Sequence, residues 1–192
     1  MARIPYPERP KSVRAVPIPT DVPEHHMLSM LMHSQGTIQP WIGLGVALFT
    51  ATTLPARSRE LVILATCHAM DAVYEWRQHE TTSASFGVTV EQRAAIRSEN
   101  LDILDDYDRS LVQFATAVVK SPRIDEQAFA AVRHHLSDAE IVEAIHLCGY
   151  FWTQNRLAST LDIEIDPPND YAVVAANVAS WGLPTETFPV TD

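Results

Sequence analysis

The sequence is poor in cysteine and almost without lysine. Its two cysteines, Cys67 and Cys148, lie far apart and belong to no C-x-x-C pair, so a redox centre of that type is excluded. Both fall in segments read as helix, where a free cysteine behaves as a small core residue. Lysine occurs only at positions 11 and 120 among 14 basic residues, and no basic cluster forms. With a net charge of −10, nucleic acid and anionic membrane surfaces are disfavoured as partners. No apolar run reaches the length of a membrane span; the longest, WIGLGVALFTA at 41–51, falls short. The opening MARIPYPERP lacks the apolar core of a secretion signal, so a cytoplasmic location is expected. No H-E-x-x-H or comparable signature is present. A metal held by Glu60, Glu75 and His79, with His68 or His26 as a further ligand, has no such pattern behind it. No metal and no cofactor are expected.

What is present is helical periodicity. No segment alternates as a strand, and the expected fold is all-α, a helical bundle. Residues 1–23 are proline-rich and read as an extended N-terminal arm. Residues 24–165 read as a single helical domain and 166–192 as a C-terminal tail. Met27, Leu28, Leu31 and Met32 fall at helical spacing, and a second, mostly apolar helix covers 37–52. A weak internal repeat follows: RELVILAT at 59–66 matches RSLVQFAT at 109–116. This divides the domain into two related helical units, about 55–100 and 105–160. Thr89 with Gln92, and Ser137 with Glu140, are capping-box patterns that open a helix in each unit. KSPRID at 120–125 must break the second unit, because Pro122 cannot sit in a helix interior. The matching break in the first unit is MDAV at 70–73, which gives helices over about 55–70 and 72–86, the latter ending near Gly87. The last helix runs from Asp138 to about Thr160.

The stretch YEWRQHE at 74–80 concentrates chemistry. Glu75 and His79 stand one turn apart on a single helix face. In a hairpin about 70–73, Glu60 lies about 15 Å and His79 about 10 Å from the turn, which brings them within about one turn of each other. Glu60 is the one acid in an otherwise apolar run, a pattern that points it into a core or pocket. A histidine beside two carboxylates is a candidate general acid or base near neutral pH. The plainer alternatives stay open at this level: a solvated Glu75–His79 pair, and a Glu60 bound to Arg57 or Arg59. Tyr74 and Trp76 serve equally well as packing residues.

RSRELVILATCHAMDAVYEWRQH followed by GVTVEQRAAI resembles the carboxymuconolactone decarboxylase and alkylhydroperoxidase D-like superfamily, over about residues 25–165. The likeness is to its long, duplicated members. In the peroxidase style of that superfamily, the resemblance lays the Glu on Glu60 and the last His on His79. The two redox cysteines then fall on Ala72 and Glu75, and the intervening His on Tyr74. Without those thiols a disulfide cycle cannot run. The decarboxylase style matches Glu75 and His79, and the resemblance implies cofactor-independent acid–base chemistry on a small organic acid or lactone.

In that implied site, His79 donates the proton and Glu75 sets its charge and tautomer. Glu60 positions His79 or a water, and Tyr74 donates to an enolate oxygen. Arg57, Arg59, Trp76 and His26 are candidate substrate contacts. Decarboxylases of the family are essentially one unit, so the second unit reads as structural, with Ser110 opposite Glu60 and Ala128 or Phe129 opposite His79. The resemblance also implies a homo-oligomer, a trimer or hexamer, although a dimer fits too. The competing functions are a peroxide reductase and a non-catalytic helical oligomer that binds a small ligand.

Overall fold

The computed structural model describes residues 1–8, 12–13, 16–17 and 25–166. Most of the expected C-terminal tail and much of the proline-rich arm therefore lie outside the described residues. Among those described, the fold is all-helical apart from one short antiparallel pairing of β1 (Ser12–Val13) with β2 (Val16–Pro17). The helices are α1 (His26–Leu31), α2 (Ile38–Thr50), α3 (Ala56–Ala69), α4 (Val73–Ser85), α5 (Val90–Ser98), α6 (Asp106–Lys120), α7 (Glu126–Arg133) and α8 (Asp138–Leu161). The chain divides into two compact units, Thr52–Arg156 and the pair of segments that precede and follow it.

Within Thr52–Arg156, α3 is the central element and packs against α4, α5 and α6, while α7 packs on α6. Leu61, Val62, Ile63, Leu64 and Ala65 are all 0% exposed, so α3 is buried on every side. A helix that is apolar all round, as LVILA is, has to be interior. The break at 70–73 closes as a Schellman turn: the Ala72 N–H donates to the Cys67 carbonyl at 2.9 Å, with Asp71 left-handed at φ 52°. Gly87, at φ 85°, ends α4 the same way, with the Val88 N–H donating to the Ser83 carbonyl at 2.9 Å. Both capping boxes form. Thr89 accepts from the Gln92 N–H at 3.2 Å while the Gln92 side chain accepts from the Thr89 N–H at 3.0 Å. Ser137 and Glu140 make the equivalent pair at the start of α8.

Three helix starts in this unit are tied by one buried carboxylate. Asp108, 1% exposed, accepts both terminal nitrogens of Arg57 at 2.7 and 2.5 Å and the Gln92 amide at 3.2 Å. These residues open α6, α3 and α5 respectively. Glu143 of α8 accepts the Thr53 and Leu54 N–H groups at 3.0 and 2.8 Å, just before α3. The register of α3 is thus set at its entrance as well as by its apolar faces.

In the other unit, α1 and α2 meet through Leu28 and Ile38, with Leu31, Met32 and Ile42 against them. The first residues of the arm run along 161–166. The Arg3 N–H donates to the Leu161 carbonyl at 2.8 Å, and the Tyr6 hydroxyl donates to Glu164 at 2.5 Å.

Candidate active site

The α3–α4 hairpin brings Glu60 and His79 into direct contact. Glu60 Oε2 lies 2.8 Å from His79 Nδ1, with the residues 1% and 8% exposed. Glu60 sits mid-helix in the buried run of α3, and the tight turn at 70–72 lets α4 fold straight back along it. Glu75, one turn before His79, is also buried at 6% exposure. The pair is therefore not a solvated surface pair, and Glu60 is not held by Arg57 or Arg59.

The electrostatics follow from this crowding. Burial opposes charge on His79, but the Glu60 carboxylate, its hydrogen bond and then Glu75 outweigh it and raise the His79 pKa. Nδ1 is committed to Glu60, so ring geometry assigns proton exchange to Nε2. The ring of Phe151, from α8, stands edge-on to the imidazole at 4.9 Å and 84°. Tyr150 stands beside it, 5.6 Å from Phe151 between ring centres. Burial and then the charge of Glu75 push the Tyr150 pKa up, so it stays an un-ionised donor.

The cysteines lie in a different kind of environment. Cys67 is 0% exposed, with its sulfur 3.9 Å from the Asn155 side-chain oxygen. Burial first, then the neighbouring Glu75 charge, push its thiol pKa well up. Burial pushes Cys148 up to about 11. Neither is a thiolate near neutral pH.

The remaining candidates are dispersed. Tyr74 is buried, and helix geometry turns it about 100° from Glu75 and about 140° from His79. Trp76 donates from Nε1 to Glu80 at 2.9 Å and carries the Arg97 guanidinium 4.4 Å above its ring. Arg57 is engaged by Asp108, as above, and Arg59 donates to the Leu54 carbonyl at 2.8 Å. His26 belongs to the other unit. Its Nδ1 lies 2.7 Å from Asp166, and its ring stacks on Tyr6 at 5.1 Å. Among the described residues, no group of three or more His, Cys, Asp or Glu is arranged to hold a metal ion.

Sequence reasoning missed the α8 wall, Tyr150 and Phe151. Their signal, two adjacent aromatics in the middle of a long helix, carries no distance information until that helix is packed.

Residues 38–102 match the carboxymuconolactone decarboxylase family. The match spans that segment, about a third of the chain. It holds Glu60, Glu75 and His79, with the hairpin between them. Solved structures extend the fold likeness over most of the chain. A peroxidase-related protein from Ralstonia eutropha JMP134 with an alkylhydroperoxidase AhpD core superposes at TM-score 0.67 and 22% identity, covering 92% of this chain and 97% of that one. A protein of unknown function from Agrobacterium tumefaciens, a proposed antioxidant-defence AhpD, gives TM-score 0.66 and 20% identity over 71% of this chain and 94% of that one. The debrominase Bmp8, solved as a cysteine-to-alanine variant in complex with 2,3,4-tribromopyrrole, gives TM-score 0.65 and 16% identity over 81% of this chain and 80% of that one. Comparison with curated protein sequences finds no match. No helix among the described residues is long and apolar enough to cross a membrane.

Proposed function

We propose that this carboxymuconolactone decarboxylase-family protein is a cofactor-independent acid–base enzyme that decarboxylates, or isomerises, a small organic acid or lactone through an enolate. The observation that carries the reading is the buried 2.8 Å contact of Glu60 with His79, flanked by Glu75. It supports a histidine whose charged form is favoured beside two carboxylates and whose Nδ1 is held by Glu60. In a substrate whose carboxylate is β to a carbonyl, or vinylogous to one, the carbon–carbon bond to that carboxylate breaks. Carbon dioxide leaves and the electron pair passes into the enolate. His79 then returns a proton to carbon from Nε2 and regains one from water. Glu60 fixes the tautomer and the ring throughout. The low-dielectric surroundings of the three residues strengthen each of these interactions. Isomerisation forms the enolate instead by transfer of a proton from carbon to Nε2 of neutral His79, which then returns it at another carbon of the enolate.

A peroxide reductase needs an accessible thiolate, and the burial and raised pKa of Cys67 weigh against it. We carry a homo-oligomer, trimer or hexamer, as part of the proposal. Exposed Val142, Ile145 and Trp152, spaced three and seven residues apart on α8, support it, and light scattering of purified protein tests it.

The reaction is tested by incubating protein, without added metal or nucleotide, with a panel of β-keto acids and carboxylated butenolide lactones read by mass spectrometry. Loss of carbon dioxide or isomerisation by the wild type that disappears in His79→Ala is expected. Turnover that persists in His79→Ala sinks the mechanism.

A further inference from the structure

The outer face of α8 carries a stripe whose pattern reads the same from either end. Asp138, Val142, Ile145, Gly149, Trp152 and Arg156 are all exposed, and follow one another at spacings of four, three, four, three and four residues. At about 100° per residue the six fall within a stripe roughly 80° wide, and Asp138 and Arg156 stand on one line about five turns apart. Val142, Ile145 and Trp152 keep 50%, 42% and 44% of their surface in solvent. The stripe opens on an acid and ends on a base. Near its middle stands Gly149, a residue that a helix interior disfavours. A Cβ added there would meet nothing within 4 Å, so packing inside the protomer does not call for glycine.

We propose that this face is an interface between two copies of the chain, with their α8 helices antiparallel about a two-fold axis level with Leu147. The spacing pattern is symmetric about that residue, and one pairing suits every position. Ile145 lies over the partner's Gly149, Val142 against the partner's Trp152, and Asp138 beside the partner's Arg156. Large side chains thus meet small ones, the glycine lets the backbones approach, and opposite charges meet at both ends. Asp138 also pairs with Arg133 of its own chain, and Arg156 lies 5.4 Å over the Trp152 ring, so both end groups are already held in place at the surface. A parallel pairing sets Trp152 on Trp152 and like charges on like, which is unfavourable. A self-complementary patch of this kind closes with two subunits. The interface rests on the homo-oligomer reading above and narrows it: this face makes a dimer, or joins two trimers into a hexamer, and does not build a lone trimer.

The test is sedimentation velocity of the full chain over a range of concentrations, with circular dichroism to follow folding. The wild type is expected to form an even-numbered assembly, a dimer or a hexamer. Gly149→Leu has room within the protomer, so its helix content and melting should not fall. It is expected to weaken the two-fold association about tenfold or more, as overpacking a fitted contact does, leaving monomers from a dimer or trimers from a hexamer. Asp138→Lys and Arg156→Glu should each weaken the association by setting like charges together. The double variant should recover it, because the exchange restores opposite charges across the axis. Assembly of Gly149→Leu as in the wild type overturns the interface, as does a double variant no better than the worse single one. The two readings fail separately. A trimeric wild type, unchanged in Gly149→Leu, removes this interface and keeps the homo-oligomer. A monomeric wild type removes both, and leaves the α8 face to another segment of the chain or to a different protein. Neither outcome bears on the acid–base reaction, which His79→Ala decides.

Discussion

The α3–α4 hairpin and the α6–α7 hairpin start from similar sequences and end as different objects. Where α3 carries Glu60, α6 carries Ser110 at the matching place in the repeat. Glu60 is sealed in and bonds across the hairpin to His79. The Ser110 hydroxyl donates back to the Tyr107 carbonyl of its own helix at 2.9 Å. Opposite His79 the repeat has Ala128 or Phe129, neither of which can pair with a carboxylate. The second hairpin instead leaves an open cleft of about 330 Å³ that includes Ser110, Arg109, His134 and His135. The lesson is that a buried carboxylate demands a partner on the facing helix, whereas a buried hydroxyl is satisfied locally. Without an acid at that position the constraint on the partner helix is released, and α7 is only eight residues long against thirteen in α4.

The sharpest way to break this comparison is to remove the proton donor. His79→Ala is expected to lower turnover by about 10²–10⁴, the usual worth of a general acid, while His134→Ala leaves it unchanged; steady-state rates on the substrate found by the screen decide. Next comes stability. Glu60→Ala strips the carboxylate from a buried pair and should cost about 3–5 kcal/mol by urea unfolding, whereas Ser110→Ala should cost about 1 kcal/mol.

The pH dependence follows from His79. Its folded pKa lies above the ordinary 6.5, so its contribution to stability is complete below about pH 6.5 and is lost as pH rises through the raised folded value. Glu60→Gln should flatten that part of the stability–pH curve, and no change in the curve contradicts the pairing. The smallest effect belongs to the turns. Gly87→Ala forces a Cβ into φ 85° and should cost about 1–2 kcal/mol in thermal unfolding. Asp71→Gly, at φ 52°, should change stability by less than about 1 kcal/mol, because aspartate tolerates that conformation.

Much of the fold was legible because its signals are local. The apolar run of α3, Pro122, the Thr89–Gln92 and Ser137–Glu140 boxes and Gly87 each act within a few residues, and the helix limits follow them closely. The Glu60–His79 contact was also legible, since a short turn between two helices of known rise fixes which residues come level. The roles of Arg57 and Arg59 were not. A guanidinium near a site reads the same whether it meets a ligand or, as Arg57 does, a buried Asp108 that lies 51 residues along the chain. His26 was a candidate for the same reason, and its partners are Tyr6 and Asp166.

The sequence by itself determined the helices, their breaks and the pairing of one acid with one histidine, because periodicity, caps and hairpin rise are properties of neighbouring residues. Only the tertiary structure decided which wall closes the site. Phe151 reaches His79 through the packing of α8, an approach set by side-chain volume and burial across more than seventy residues of chain, and no spacing rule within a single helix encodes it.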